Sequence, residues 1–407
     1  MILTDASRVD PVAGGPADTF RIRVADTPSA FPDWPRSDRQ GSARCHVFQC
    51  ADILEVWLDT IGAARRIRAL FVGVSDAAGQ TVMLLPLGIE RIRGVRVLGF
   101  LDGTVVDYSQ PVLFAPASNL DADAMKRLWQ DIRAALPGFD VAVFDKMPTE
   151  VGGQANPLMH LDVVQMPESG HVMSLPVGQE DLEKRIPVSK RHVRYMRQLA
   201  KDQAVALEVA DSPEQGRQFL DDMIENKTRK FHETRVPGFE IPGKRAFYDE
   251  ATRRLANLSP IHLSAVRAGD TVVASHWGLV YEDRFYFLMT AYAGGEWRKF
   301  SPGRILNDEL IRWCHTHGYR WFDFGIGDEV YKYEYCDVVV PLHIAVIPVS
   351  LRGRLYVLTG ALLTRLRASR LWQRLRPYKW ILLRSLKSAK PDAPPSGDDA
   401  DASKTTH

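Results

Sequence analysis

The sequence predicts an α/β protein of the α+β kind, with two similar units that each combine a mainly antiparallel sheet with flanking helices. Two observations carry that expectation. The order strand, turn, strand, strand, helix, glycine, strand occurs twice, about 180–190 residues apart. The composition is that of an ordinary globular chain: 45% of the 407 residues are hydrophobic and 25% charged, which excludes a disordered or fibrous protein. A chain this long also buries enough surface to need no disulfide or metal staple.

Residues 1–40 are rich in Pro, Asp, Ser and Gly and have no stable period, so they read as a flexible arm. The first unit spans 41–180. Its strands are 69–75 (ALFVGVS), 81–87 (TVMLLPL) after a turn at Gly79, and 95–101 (VRVLGFL). Residues 121–136 place Met125, Leu128, Trp129, Ile132 and Leu136 at helical spacing; Pro137 and Gly138 end the helix and 139–144 returns as a strand. A basic connecting helix follows within 181–205, where Pro187 breaks or starts it. Its Lys190, Arg194, Arg197 and Lys201 meet an anionic acceptor or tRNA, or form a solvated face.

The second unit, 206–350, repeats the pattern with strands 261–267, 271–280 and 284–290. Its helix, 304–317, carries Ile305, Leu306, Leu310, Ile311 and Cys314, and Gly318 leads into the strand 319–324. Beyond it, 351–390 reads as a basic amphipathic segment. Residues 361–390 hold nine Lys or Arg and no acidic residue, alongside Leu362, Leu366, Leu371, Trp372, Leu375, Trp380 and Ile381, with a break at Pro377. Such a segment either docks on the protein or attaches reversibly to an anionic membrane surface. The last stretch, 391–407, has three prolines and four aspartates and reads as a disordered tail.

Charge and motifs narrow the function. Lys plus Arg number 52 against 50 Asp plus Glu, for a formal +2, so no DNA partner is expected. Cys45, Cys50, Cys314 and Cys336 are too few for a disulfide scaffold, and Cys45, His46 and Cys50 lack a second pair of ligands, so no metal is expected either. Residues 1–10 show no signal peptide. The longest apolar stretch, 338–351, is interrupted by Pro341, His343 and Pro348. A cytoplasmic protein is expected. Walker, nucleophile-elbow and zinc-protease motifs are absent, and Gly325 and Gly327 lack the third glycine of a dinucleotide fingerprint.

The most informative stretch is 285–335. A strand ends at Thr290, a loop holds Gly294 and Gly295, and Ser301-Pro302-Gly303 opens the helix. Serine is a good N-cap and proline suits the first helical position. The amides of Gly303, Arg304 and Ile305 are then expected to point outward beside Arg298, Lys299 and Arg304. That makes either a phosphate site or simply a well-capped helix.

The order strand, cationic loop, Ser-Pro-Gly helix, strand YRWFDF, then GIGDEVYKYEY resembles the GNAT acyltransferase superfamily. The closer resemblance is to its two-domain branch that includes the cellulose-biosynthesis protein CelD and is related to Fem-type peptidyl transferases. The first half, PLGIERIRGVRVLGFLDGTVVDYSQPVL, is similar to that branch's N-terminal unit, so the resemblance covers roughly 45–350. It implies two tandem GNAT-like units. It also implies a donor loop, Gln/Arg-x-x-Gly-x-Gly/Ala, whose amides hold the pyrophosphate of acyl-CoA. Arg298, Ser301 and Gly303 stand at the marked positions, with Lys299 and Arg304 adjacent. Serine replaces the first glycine, and Pro302 removes one amide. The first unit has 115–119 (APASN) there, without glycine or cation, so it is expected to bind no donor.

The implied chemistry is attack of an amine on a thioester carbonyl, with acyl-CoA (acetyl-CoA) as co-substrate and no tightly bound cofactor. It needs a base and oxyanion donors. Asp323 is a base or a brace of a neighbouring loop; His276 is a base or a core histidine. Lys332 is placed to stabilise an anion and Tyr331 to protonate the leaving thiolate. Asp107 and Tyr108 touch the acceptor or brace a turn. Asp328 and Glu329 bind substrate or form a solvated turn. The expected activity is N-acyl transfer to an amino-sugar or glycan precursor in cellulose, exopolysaccharide or cell-envelope assembly. Two alternatives stay open: a Fem-type transferase using aminoacyl-tRNA, and a catalytically silent scaffold of a polysaccharide-synthesis complex.

Overall fold

The computed structural model describes residues 20–39, 41–188, 190, 193–197, 203–234, 238–255 and 260–368. The first half contributes β1 (Arg21–Ala25), β2 (Arg68–Ser75), β3 (Thr81–Ile92), β4 (Val95–Phe100), β5 (Val112–Leu113) and β6 (Val141–Pro148). A small hairpin, β7 (Glu150–Val151) and β8 (Gln154–Ala155), precedes β9 (Val163–Ser174). The second half contributes β10 (Val205–Val209), β11 (Ile261–Ala268), β12 (Thr271–Tyr281), β13 (Arg284–Tyr292), β14 (Trp321–Ile326) and β15 (Val338–Pro348).

The predicted repetition is present strand for strand. β1 to β4 run antiparallel, and β6 joins β4 in parallel after the crossover helix Ala122–Ala135. Likewise β10 to β13 run antiparallel, and β14 joins β13 in parallel after the helix Pro302–Thr316. A parallel neighbour requires such a crossover, and the amphipathic helix packs back on the sheet. Met125, Leu128, Trp129 and Ile132 do so against Val72, Met83 and Leu85. Ile305, Leu306, Leu310 and Ile311 do so against Phe285, Phe287 and Phe322.

The halves then exchange their last strands. β9, from the end of the first half, pairs antiparallel with β14 of the second. β15, from the end of the second, pairs antiparallel with β6 of the first. The two also pair with each other, so thirteen strands form one mixed sheet in the order β1-β2-β3-β4-β6-β15-β9-β14-β13-β12-β11-β10, with β5 beside β3. The units expected at 41–180 and 206–350 are each completed by a strand from the other. The described residues up to Gly353 belong to one compact unit, and those from Arg354 to another.

On the sheet face opposite the crossover helices, Ala51–Trp57, Pro213–Thr234 and Lys244–Leu255 cover a third core that both halves share. Phe48, Trp57 and Tyr108 from the first half meet Phe219, Tyr248, Trp277 and Tyr286 from the second.

The structure departs from the sequence reading at the N-terminus and in the connecting helix. Residues 20–39 are not a loose arm: β1 pairs with β2, Phe31 and Trp34 are buried, and the Trp34 indole donates to the Gln49 carbonyl at 2.8 Å. The strand is short and its partners lie fifty residues away, so no local period marks it. The connecting helix Gln179–Arg185 ends before Pro187, and 193–197 is helical again, while Lys201 lies outside the described residues. Of the basic segment, the helix Leu351–Ala368 is described; 369–390, like residues 1–19 and the tail 391–407, lies outside the described residues.

One buried carboxylate ties the exchanged strand in place. Asp140, just before β6, accepts from the Arg96 backbone (2.9 Å) and guanidinium (3.2 and 3.4 Å) and from the Ser350 hydroxyl (2.8 Å). Its carbonyl accepts from Val349 and Ser350, just after β15. The bonds from Arg96 and Ser350 hold the Asp140 carboxyl well below the usual carboxylate range. A depressed pKa stabilises the fold above the unfolded value, near ~3.9, and that contribution fades as pH falls toward the folded value. Asp140→Asn should therefore lower stability by about 2 kcal/mol at neutral pH. Denaturant unfolding of both proteins should show the gap narrowing below about pH 4.

Candidate active site

β13 and β14 pair over only three positions, Arg284↔Trp321, Phe285↔Phe322 and Tyr286↔Asp323. Beyond them β13 runs on to Tyr292 and β14 to Ile326 without pairing, so the two strands part. In the first half β4 and β6 also share only two pairs, Val97↔Val141 and Leu98↔Ala142.

At the β13 end, a short 3-10 turn, Gly295–Phe300, delivers Ser301 to the start of the helix Pro302–Thr316. Ser301 occupies the expected N-cap position but with left-handed backbone (φ 55°), and its side chain makes no capping bond. Its carbonyl instead accepts from the Arg304 and Ile305 amides at 2.9 and 3.3 Å. Of the three amides expected to point outward, only that of Gly303 is left without a protein acceptor among the described residues. Glycine is required there by packing, because a β-carbon would lie 2.8 Å from the Tyr292 ring. Arg298 is exposed and pairs with Glu233 at 3.1 Å; Lys299 lies over the Phe300 ring at 4.8 Å. Arg304 is engaged elsewhere, donating to the Pro187 carbonyl (2.5 Å) and to Glu334 (3.4 Å).

At the β14 end, alternation aims Phe322 and Phe324 at the crossover helix and Asp323 at the shared core. Asp323 is fully buried rather than half-buried. The Tyr108 hydroxyl donates to its Oδ1 at 2.9 Å, the Arg284 Nη1 to its Oδ2 at 2.8 Å, and the Gly325 amide to its Oδ1 at 2.9 Å. Tyr108 crosses the exchanged strand β9 at Gly170, where a β-carbon would come within 2.5 Å of its hydroxyl. His46 stacks on Tyr108 with centroids 4.5 Å apart and shares a 2.9 Å hydrogen bond with the Tyr286 hydroxyl. Burial, with the Arg284 charge nearby, holds the His46 imidazole well below its ordinary pKa.

Asp107 is the contrasting carboxylate. It is half-buried and fills the hollow beside Gly325, where φ is 71° and a β-carbon would collide with it. Its side chain has no hydrogen bond or ion pair among the described residues. Burial raises its pKa to about 6; Asp323 and Asp102 push the same way, and Lys146 and Lys332 oppose them.

Lys332 is 3% exposed, and its ammonium donates to the Ile326 carbonyl at 2.8 Å, reaches the Gly325 carbonyl at 3.4 Å and pairs with Glu329 at 3.0 Å. It pins the loop that carries Tyr331, whose ring lies 6.0 Å from Phe324 and whose hydroxyl is kept protonated mainly by burial. Asp328 faces the other way: its Oδ1 is 2.8 Å from His171 Nε2 on β9 and accepts from the Tyr333 hydroxyl at 3.2 Å. The His171 bond, first of all, holds the Asp328 carboxyl below the usual range.

His276 stands apart on the opposite sheet face. It is fully buried between Phe285 and Phe287, stacked on the latter at 4.9 Å, with neither ring nitrogen hydrogen-bonded, and burial lowers its pKa strongly. The fold thus gathers Asp107, Tyr108, Asp323 and Lys332 with Glu329 and Tyr331 at the loop, and leaves His276 in an aromatic core. Sequence reasoning missed Arg284, His46 and Lys227. Lys227, on the helix Pro213–Thr234, donates to the Thr290 carbonyl at 3.0 Å; burial and the neighbouring Lys230 and Lys244 push it down to about 8. No local motif marks these three, because each partner lies on a different element.

Residues 188–333 match the family described as acetyltransferase (GNAT) domain. The solved structure of FemX covers 77% of this chain and 94% of its own, at 11% identity and a TM-score of 0.52. A C-terminal domain of a lysylphosphatidylglycerol synthetase from Agrobacterium fabrum covers 77% and 96%, at 11% identity and 0.44. A tandem GNAT protein from the clavulanic acid biosynthesis pathway covers 78% and 91%, at 10% and 0.40. No curated protein matches the chain. Residues 188–333 are thus similar to a GNAT acetyltransferase domain, and the chain shares the fold of FemX.

Arg284→Met should leave Asp323 buried without a counter-charge and cost about 3–5 kcal/mol of stability in denaturant unfolding. A loss below about 1 kcal/mol would mean that the pair is not what holds this seam.

Proposed function

We propose that the chain transfers an acyl group from an acyl-CoA thioester to an amine. The observation that carries this reading is the parting of β13 and β14, with the uncommitted Gly303 amide at one side and the unpartnered Asp107 carboxyl at the other. The thioester lies between the parted strands. Its pyrophosphate sits at the Gly303 amide and helix N-terminus, with Arg298 and Lys299 close by. Arg304 takes no part, since Pro187 and Glu334 hold it.

Asp107, with a pKa of about 6, is mostly ionised at neutral pH and still basic enough to take a proton from the acceptor ammonium. The freed amine attacks the thioester carbon; the C–N bond forms, the C–S bond breaks, Tyr331 gives its proton to the departing thiolate, and the proton shed by the new amide nitrogen restores the Tyr331 hydroxyl. Lys332 fixes the loop and adds positive charge near the developing oxyanion. Asp323 is saturated by Tyr108, Arg284 and Gly325, so its role is to anchor the seam. Glu329 borders the acceptor side; Tyr108, buried against His46 and bonded to Asp323, braces the seam and touches no acceptor, and Asp328 serves the loop through His171.

The acceptor in this reading is an amino-sugar or lipid-linked glycan precursor of cellulose, exopolysaccharide or envelope assembly, as the CelD-like sequence resemblance implies. Acyl-CoA as donor places the reaction in the cytoplasm. A second donor, aminoacyl-tRNA, is favoured by one observation: Pro302 has no amide and Ser301 takes those of Arg304 and Ile305, which leaves a sparse pyrophosphate cradle.

Thermal shift with acetyl-CoA, longer acyl-CoAs and charged tRNA separates these readings. A donor with Kd near ~10 μM, supplied at ~1 mM, should stabilise the protein by about 2.7 kcal/mol. Gly303→Val should abolish that shift for acyl-CoA; since its side chain must displace the Tyr292 ring, the unliganded melting temperature is measured alongside, and Gly303→Val paired with Tyr292→Ala, which makes room for it, should lose the shift as well. A folded wild-type protein stabilised by none of these donors is not this transferase. Asp107→Asn should lower kcat at least ~100-fold, about 2.7 kcal/mol in transition-state stabilisation. The wild-type kcat/KM should rise through about pH 6, where Asp107 ionises, and the variant should lose that limb.

A further inference from the structure

We propose that the helix Leu351–Ala368 docks the protein on an anionic lipid surface. The relative exposures of Leu351, Leu355, Leu358 and Leu362 are 81%, 62%, 67% and 58%. Steps of four, three and four residues keep them within about 40° of one line along the helix, so they form a continuous apolar stripe open to solvent. Arg354 and Arg365 fall beside that stripe, within about 60° of it by the same geometry. Long cationic side chains placed so can reach past buried leucines to a charged boundary.

The charge is one-sided. Residues 351–390 carry eleven Lys or Arg and no acidic residue, while the whole chain has a formal charge of +2. Two copies of such a helix packed through their leucines would bring these cations together without a counter-charge. An anionic surface accepts the leucines and the cations at once. Among the described residues no helix is long and apolar enough to cross a membrane, which suits a helix lying in the interface plane. Farther along the sequence, Trp372, Tyr378 and Trp380 are residue types that favour the headgroup level.

The test needs no acyl donor and so is independent of the transferase reading. Full-length protein is floated with vesicles of phosphatidylcholine alone and of phosphatidylcholine mixed with phosphatidylglycerol. It should float with the mixed vesicles at low salt and not with phosphatidylcholine alone. Binding should weaken at least about ten-fold in high salt. The triple variant Leu355→Ser, Leu358→Ser, Leu362→Ser should lose about ten-fold of that binding at an unchanged melting temperature. Failure of the wild type to float, or a triple variant that floats as well as wild type, overturns the proposal. So does a wild-type dimer in sedimentation that the triple variant turns into a monomer, for the stripe is then a contact between copies.

Discussion

The reciprocal exchange of β9 and β15 is the constraint on which the rest of the fold depends. Each half ends its parallel pair, β4–β6 or β13–β14, with an open edge that only the other half's last strand covers. An exposed edge of unpaired amides and carbonyls is a liability, and here both are paired in one move. The same pairing brings the β9 backbone at Gly170 beneath Tyr108, and it is this approach that lets a first-half hydroxyl reach a second-half carboxylate.

The candidate site illustrates how position sets two aspartates apart. Asp323 lies inside the sheet with an arginine, a tyrosine hydroxyl and a backbone amide around it, and every oxygen is occupied. Asp107, close by across the seam, has no such partner and sits among other charges at a partly open position. A carboxylate with its acceptors filled braces structure; one without partners is free to exchange a proton. The residue that the strand pattern made most conspicuous is the one whose carboxylate oxygens are both taken.

Strands and helices with their own period were legible: 81–87, 271–280, 121–136 and 304–317 each carry an apolar face that needs no knowledge of the partner. The exchanged strands were not. β9 runs VVQMPESGHVMS, with a polar centre, and its first half is largely exposed. β15 contains Pro341 and Pro348, and proline in a central strand argues against that assignment. Here the register shifts between Pro341 and His343, so the ladder is interrupted where the amide is missing. At the site, Asp323 was readable as a polar residue between Phe322 and Phe324, and Lys332 as a cation in the loop that follows. The left-handed Ser301 and the Arg284 pairing were not, because a backbone sign and a contact across thirty-nine residues leave no local trace. His276 carried the opposite lesson: the same polar-in-apolar pattern marked a residue packed among phenylalanines.

The exchange also sets a clock on biosynthesis. β6 is translated almost two hundred residues before β15, the strand that covers its edge, and β9 waits for β14 across about 150 residues. A nascent chain therefore emerges with the first half's sheet unfinished, and the second half, which takes up β9 once β14 appears, has all its strands before the first half does. Closure of the first half falls to one late segment, Val338–Pro348, so that a ribosome stalled short of it holds a second half already closed by β9 and a first half whose β6 edge is still open.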